Sequence, residues 1–178
     1  MDVKTRILDA ALGLLARGGA QELTQPRICK AAGLRQSHLT YYFPTRADLL
    51  QAVARHSIET LAAELATRKL DPGALAEALA AGAADKRRIR VMLGLVAAAD
   101  RDPAIKRRLR RFIRELRGRM TGVFASAGLD LDAESVAFLH TMTVGAAVLQ
   151  LARDDAASRA EAKAVLKKAA ACLGTERP

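Results

Sequence analysis

Between Leu23 and Leu50 the chain sets two short segments of helical periodicity on either side of one glycine and closes them with a proline. No other stretch restricts the fold so tightly. The first segment opens at Thr24, a good N-cap, with Pro26 in the first turn, where a missing N–H costs little. Ile28, Ala31 and Ala32 give it one apolar face. Gly33 stands where a left-handed residue ends a helix. The second segment runs from about Gln36 to Phe43, and Pro44 stops it. Neither segment is long enough to stand alone, so other helices must hold their inner sides. Residues 3–17 supply one such support. Asp2 is its N-cap, Val3, Ile7, Ala11, Leu14 and Leu15 lie on one side, and Gly18-Gly19 ends it. Leu39 is the natural inward anchor of the second segment, opposite Ile28 and this first helix.

The remaining sequence continues in the same helical idiom, so the expected fold class is all-α with about nine helices and no strand. Thr45-Arg46-Ala47-Asp48 reads as a capping box, with Asp in place of Glu, for a long helix to about Lys69. Its stripe is Leu50, Ala54, Ile58, Leu61 and Leu65. Asp71-Pro72-Gly73 breaks the chain. Helices over about 74–84 and 86–99 follow, with Ile89, Met92, Leu93 and Val96 facing inward. Asp102-Pro103 starts a helix to about Ala127 that carries Ile105, Leu109, Phe112, Ile113, Leu116, Met120 and Val123 on one face. Gly128 ends it. A helix over about 132–152 comes next, and Ser158-Arg159-Ala160-Glu161 reads as the capping box of the last. The expected division is a helix-turn-helix domain over 1–48 and a larger helical domain over 49–178.

Composition narrows the function classes. Two cysteines, Cys29 and Cys172, far apart and without a CxxC spacing, point away from a disulfide framework and toward a reducing, cytoplasmic setting. The N-terminus lacks the apolar core of a signal peptide. Ser135–Ala152 carries no formal charge and invites comparison with a membrane span. Its His140, Thr141, Thr143, Gly145 and Gln150 favour instead a soluble helix buried on two sides, with no membrane partner. His38, His56 and His140 lie on different helices, so no metal site is expected. Motifs for catalysis or cofactor binding are absent from the chain, which points away from an enzyme.

A formal net charge of +10 makes polyanions plausible partners. Its distribution is uneven. Residues 1–50 hold seven Lys/Arg against four Asp/Glu, and residues 85–119 hold thirteen against four. Much of that second excess lies on one helix, at Lys106, Arg107, Arg108, Arg110, Arg111, Arg114 and Arg117. An anionic ligand, a second nucleic-acid surface and a membrane-lying helix are all compatible with it. The plainer reading is a solvated basic face opposite the apolar stripe.

Between Thr24 and Arg46 the residues divide by task. A major groove ~12 Å wide admits a short helix whose polar side chains reach base edges. Arg35, Gln36, Ser37, His38 and Thr40 are polar and sit at the turn or on the third helix. Gln36 and His38 suit base edges, and Arg35 suits guanine or phosphate. Thr24 and Arg27, at the start of the second helix, can hold one phosphate. Tyr41 suits a phosphate through its hydroxyl, and Arg46 the flanking backbone. Tyr42 and Phe43 read as core.

The pattern Thr24-x3-Ile28-x2-Ala31-Ala32-Gly33-Leu34, followed by Leu39-x-Tyr41-Tyr42-Phe43-Pro44-Thr45-Arg46-x-Asp48-Leu49-Leu50, resembles the DNA-binding domain of the tetracycline-repressor (TetR/AcrR-type) family. The resemblance is specific over roughly residues 3–50; beyond them it rests on helix number, helix lengths and total size. It implies an all-α homodimer whose last two long helices pair as a four-helix bundle. It further implies a sequence-specific regulator, a repressor of a palindromic operator in double-stranded DNA, released by a small-molecule effector. The cavity so implied would be lined by Leu61, Met92, Phe112, Leu116, Met120 and Met142. Ala137, Thr141, Gly145 and Ala146 allow close helix approach at a dimer seam. The sequence departs from the family pattern at three places. Arg35 stands where a capping Ser or Thr is usual, His38 where a smaller residue is usual, and Thr40 in place of a frequent Tyr. An altered cap favours one alternative, an all-α ligand-binding or scaffold protein that has lost DNA reading.

Overall fold

The computed structural model describes residues 2–66, 72–126 and 128–174. Among them are nine α-helices and no strand. These are α1 (Val3–Gly18), α2 (Gln25–Ala32), α3 (Gln36–Tyr42), α4 (Arg46–Ala66), α5 (Pro72–Ala84), α6 (Lys86–Arg101), α7 (Pro103–Ser126), α8 (Ala133–Arg153) and α9 (Ala156–Gly174). A short 3-10 turn, Ala20–Glu22, follows α1 and has no counterpart in the sequence reading. Asp71 and Ala127 lie outside the described residues.

The chain forms two compact units, Met1–Thr60 with Arg90–Arg111, and Leu61–Ile89 with Phe112–Pro178. In the first, α1 packs on both α2 and α3. Ile7, Ala11, Leu15, Ile28, Leu39 and Val53 are among its buried residues, each aliphatic side chain larger than Ala contributing about 1.5–3 kcal/mol by leaving water. Several expected caps form. The Asp2 carboxylate accepts the Thr5 N–H at 2.9 Å. The Thr45–Asp48 box is reciprocal, with Thr45 N–H to Asp48 Oδ2 and Asp48 N–H to Thr45 Oγ1, each at 3.1 Å. Asp102 Oδ1 takes the Ala104 N–H at 2.7 Å, at the start of α7.

In the second unit α5, α8 and α9 pack against one another. Gly128, at φ +78, turns the chain after α7. There Leu129 N–H reaches Phe124 O at 2.9 Å and closes the helix end. That turn delivers Leu129 and Leu131 into a core with Phe124, Val136, Leu139 and Ala169.

Five expectations need correction. The last helix is capped by Asp155, not Ser158: the Ser158 N–H donates to Asp155 Oδ1 at 2.6 Å. The same three-residue spacing, one turn earlier at Asp155-to-Ser158, thus serves as the cap, and Ser158 is itself buried. On α6 the buried residues are Ile89, Val91, Leu95 and Ala99, whereas Leu93 and Val96 are exposed. On α2 the inner residues are Ile28, Cys29 and Ala32, and Ala31 faces water. Tyr42 is exposed, and only Phe43 of the aromatic pair is core. Finally, α8 is not covered on both sides, since Phe138 and Leu149 are 44% and 60% exposed. Among the described residues it is the one helix long and apolar enough, by length and composition, to cross a membrane.

Candidate nucleic-acid interface

The short helices α2 and α3 are held from beneath and polar on top. Leu39, 2% exposed, is the single buried side chain of α3, and Ile28 is its counterpart on α2. Gly33 between them adopts φ +63, ψ 40, and its N–H returns to α2 carbonyls. A side chain at that φ is strained.

Arg6 of α1 holds the same turn. Its guanidinium donates to the carbonyl of Ala32 at 2.7 Å and to that of Gly33 at 3.4 Å. These are the orphan carbonyls at the end of α2, and a cation is the favoured partner there. Sequence reasoning missed Arg6 because its partners lie 26 residues away. Its position on α1, one residue before the buried Ile7, was the available signal.

The departure at Arg35 has a structural answer. Arg35 occupies the N-cap position of α3, but a guanidinium offers no acceptor. His38 completes half of a capping box, because its Nδ1 accepts the Arg35 N–H at 3.3 Å. That bond requires a ring bearing its hydrogen on Nε2. The histidine unusual for its position thus helps fix the start of the helix.

All nine residues singled out from sequence, Thr24, Arg27, Arg35, Gln36, Ser37, His38, Thr40, Tyr41 and Arg46, are exposed. They differ in how free their polar groups are. Tyr41 is 79% exposed and stands edge-on to the Tyr42 ring, centroids 5.1 Å apart. The Gln36 amide donates to Gln25 across the two helices. Thr40 Oγ1 bonds back to the Gln36 and Ser37 carbonyls, both at 3.2 Å. Arg27 pairs with Glu22. Thr24 is the N-cap of α2 by backbone conformation, without a side-chain cap bond. Contact with a nucleic acid would exchange the Gln25 and Glu22 partners for base or phosphate groups.

Behind this surface Asp48 is a junction. It accepts from Thr45 Oγ1 at 2.6 Å and also from Arg108 of α7. These hydrogen bonds, Thr45 first and Arg108 second, hold its carboxyl below the usual range. Arg90 of α6 donates to the Leu15 carbonyl at 3.3 Å and to that of Ala16, at the end of α1. His56 of α4 meets Asp9 of α1 at 2.8 Å.

The residues expected to line a cavity fall in both units. Met92 belongs to the first, while Phe112, Leu116, Met120 and Met142 belong to the second. Met120 and Met142 pack on the Phe124–Leu139 core. The side chain of Leu61 lies outside the described residues. The same unit holds a buried polar group that sequence reasoning passed over as a functional candidate. His140 is 7% exposed, its Nδ1 accepts from Arg117 Nε at 3.3 Å, and its Nε2 has no partner among the described residues. Burial, then the Arg117 charge, pushes its pKa below the ordinary histidine value.

A short polar-faced helix, seated by one leucine and fixed by a left-handed glycine, defines a helix-turn-helix protein of the transcription-regulator class. Residues 7–53 match the family model for bacterial regulatory proteins of the tetR family, and residues 72–174 match that for the C-terminal region of BetI-type transcriptional repressors. The chain belongs to the TetR family of transcription regulators. It is 30% identical over 167 residues, 87% of its length and 82% of the relative's, to the HTH-type transcriptional regulator CymR of Pseudomonas putida. Its fold is similar to that of a TetR regulator from Haloarcula marismortui, with TM-score 0.74, 22% identity and coverage of 96% and 97% of the two chains. It is similar as well to the multidrug binding protein EbrR complexed with ethidium, with TM-score 0.70, 24% identity and coverage of 94% and 98%. The family is one of transcription regulators, not of enzymes.

Proposed function

We propose that the chain is a homodimeric, sequence-specific repressor, acting in the cytoplasm and released from its operator by a small molecule. The observation that carries this is the split of α3, with Leu39 buried and Gln36, Ser37, His38, Thr40 and Tyr41 exposed together. In the proposed division of labour, residues 1–48 bind DNA and residues 49–178 bind the effector and the second subunit. Tyr41, Arg46, Thr24 and Arg27 hold phosphates, whereas Arg35, Gln36, Ser37, His38 and Thr40 face base edges. Two subunits then read half-sites roughly 34–36 Å apart on one face of a palindrome.

The dimer reading draws support from α8. Phe138, Thr141, Gly145 and Leu149 are exposed at spacings of three and four residues, one stripe down the helix. Bare apolar side chains at helical spacing, interleaved with small residues, suit a second copy of the same helix. For the effector, Phe112, Leu116, Met120 and Met142 of the second unit are the proposed lining. An effector need only prefer the non-binding state by ~1–3 kcal/mol to act as a switch.

Gel-shift and anisotropy titrations against DNA from beside its own gene test this reading. Tyr41→Ala and Arg46→Ala are expected to weaken binding to every sequence, while Gln36→Ala and His38→Ala relax the preference for the operator. Uniform loss across both groups would refute the division of labour. Failure to bind any duplex selectively, in any ligand state, would return the chain to an effector-binding or scaffold role.

A further inference from the structure

The start of α7 carries cations that the interface described above does not use. Lys106, Arg107, Arg110 and Arg111 are all exposed. None has an ion pair or hydrogen bond to another described side chain. On a helix they are one another's neighbours, 106 with 110 and 107 with 111 at four residues, 107 with 110 at three. Like charges so placed destabilise a helix, and Lys106 in the first turn also opposes the positive end of the helix dipole. Solubility alone is better served by mixed signs. Elsewhere in the chain that mixture is found, as in Arg153 with Glu161 and Lys163 with Glu77. At this site the nearby carboxylates are engaged: Asp102 caps α7, and Glu115, four residues past Arg111, has its own partner.

The same half-helix is tied to the first turn of α4. Arg108 pairs with Asp48, which sits two residues past Arg46 and is locked by the Thr45 box. At 1.5 Å of rise per residue, the four cations lie within about 5 Å of Arg108 along the helix axis. All belong to the unit that holds α2 and α3.

We propose that Lys106, Arg107, Arg110 and Arg111 form a second phosphate-binding strip, gripping the duplex DNA backbone that flanks the bases met by α3. The proposal rests on the DNA-binding reading above. A helix-borne row of unpaired cations complements a row of phosphates, which its three arginines can each meet with two parallel bonds. Such contacts add affinity without sequence preference and release counterions.

The test is fluorescence anisotropy with a random-sequence duplex, titrated between roughly 50 and 200 mM salt. Each phosphate contact contributes about 0.9 to the slope of log affinity against log salt. The variant R107A/R110A/R111A is expected to lower that slope by about 2–3 per chain, with R107K/R110K/R111K retaining most of it. Alanine favours helix and the positions are exposed, so circular dichroism should show both variants folded. An unchanged slope in the alanine variant, with the unsubstituted protein binding normally, would overturn the strip and leave the α2–α3 interface standing. No duplex binding by the unsubstituted protein at any salt would sink both together. Loss of binding to phosphatidylglycerol vesicles, with the DNA slope unaltered, would overturn the strip in favour of a lipid surface.

Discussion

Helices α3 and α8 both show water something unusual, and they do so in opposite ways. The former is two turns long, buries one leucine and exposes its other six residues. The latter is six turns long, buries Val136, Leu139 and Ala147, and exposes Phe138 and Leu149. A polar outer face costs nothing while it waits for a charged, wet partner. An apolar outer face is costly in water until something covers it. In the proposed reading the contrast separates two kinds of partner, a nucleic acid for α3 and a second copy of the chain for α8. It also separates two kinds of mutational outcome.

The largest expected effect comes from α8. If the proposed dimer forms through α8, Phe138→Glu with Leu149→Glu should convert it to monomers by analytical ultracentrifugation. Losing the second half-site should then weaken operator binding by about 10²–10⁴-fold. Far-UV circular dichroism should hold steady, because neither side chain belongs to the core. A monomeric unsubstituted protein would break the comparison at this point.

Leu39→Ala should act in the reverse manner, on the fold before the partner. Removing the one buried side chain of α3 should cost about 2–5 kcal/mol, read as a lower thermal midpoint and denaturant midpoint, with the oligomer intact. If stability were unaltered, α3 would not be seated by Leu39. Gly33→Ala sharpens the same point with a smaller cost, about 1–2 kcal/mol, because φ +63 strains any side chain. The added Cβ would also stand 3.2 Å from the Arg6 guanidinium, which holds the turn.

The smallest effect is titrimetric and falls in the second unit. His140 has its pKa depressed by burial and then by Arg117, so the folded state prefers the neutral ring. Its contribution to stability is present above the ordinary histidine value of about 6.5 and is lost as pH falls through the lower native value. Thermal midpoints measured from pH 7.5 downward should drop, and His140→Gln should flatten that dependence. An identical profile in the variant would place the acid sensitivity elsewhere.

Local chemistry was legible from sequence. Thr45-to-Asp48, Asp102 and Gly33 announce helix ends through groups within four residues of one another. The single leucine in a polar α3 announces which side is inner. The polar surface of the candidate interface was legible for the same reason, since period and polarity are both short-range signals. What escaped was long-range. Arg6 reaches Ala32, Arg90 reaches the end of α1, and Arg108 reaches Asp48, across 26 to 75 residues.

Sequence by itself determined the helices, their caps apart from that of α9, and the inner and outer faces of α2 and α3, with Ala31 and Tyr42 as exceptions. Those choices are made by backbone sterics and by hydrogen bonds between near neighbours. Tertiary structure alone decided which faces of α6 and α8 are covered. Helix α8 is apolar around most of its girth and presents no single stripe, so the neighbour that packs against it chooses the side. The exposure of Leu93, Val96, Phe138 and Leu149 is therefore a property of the packed chain, not of any local pattern.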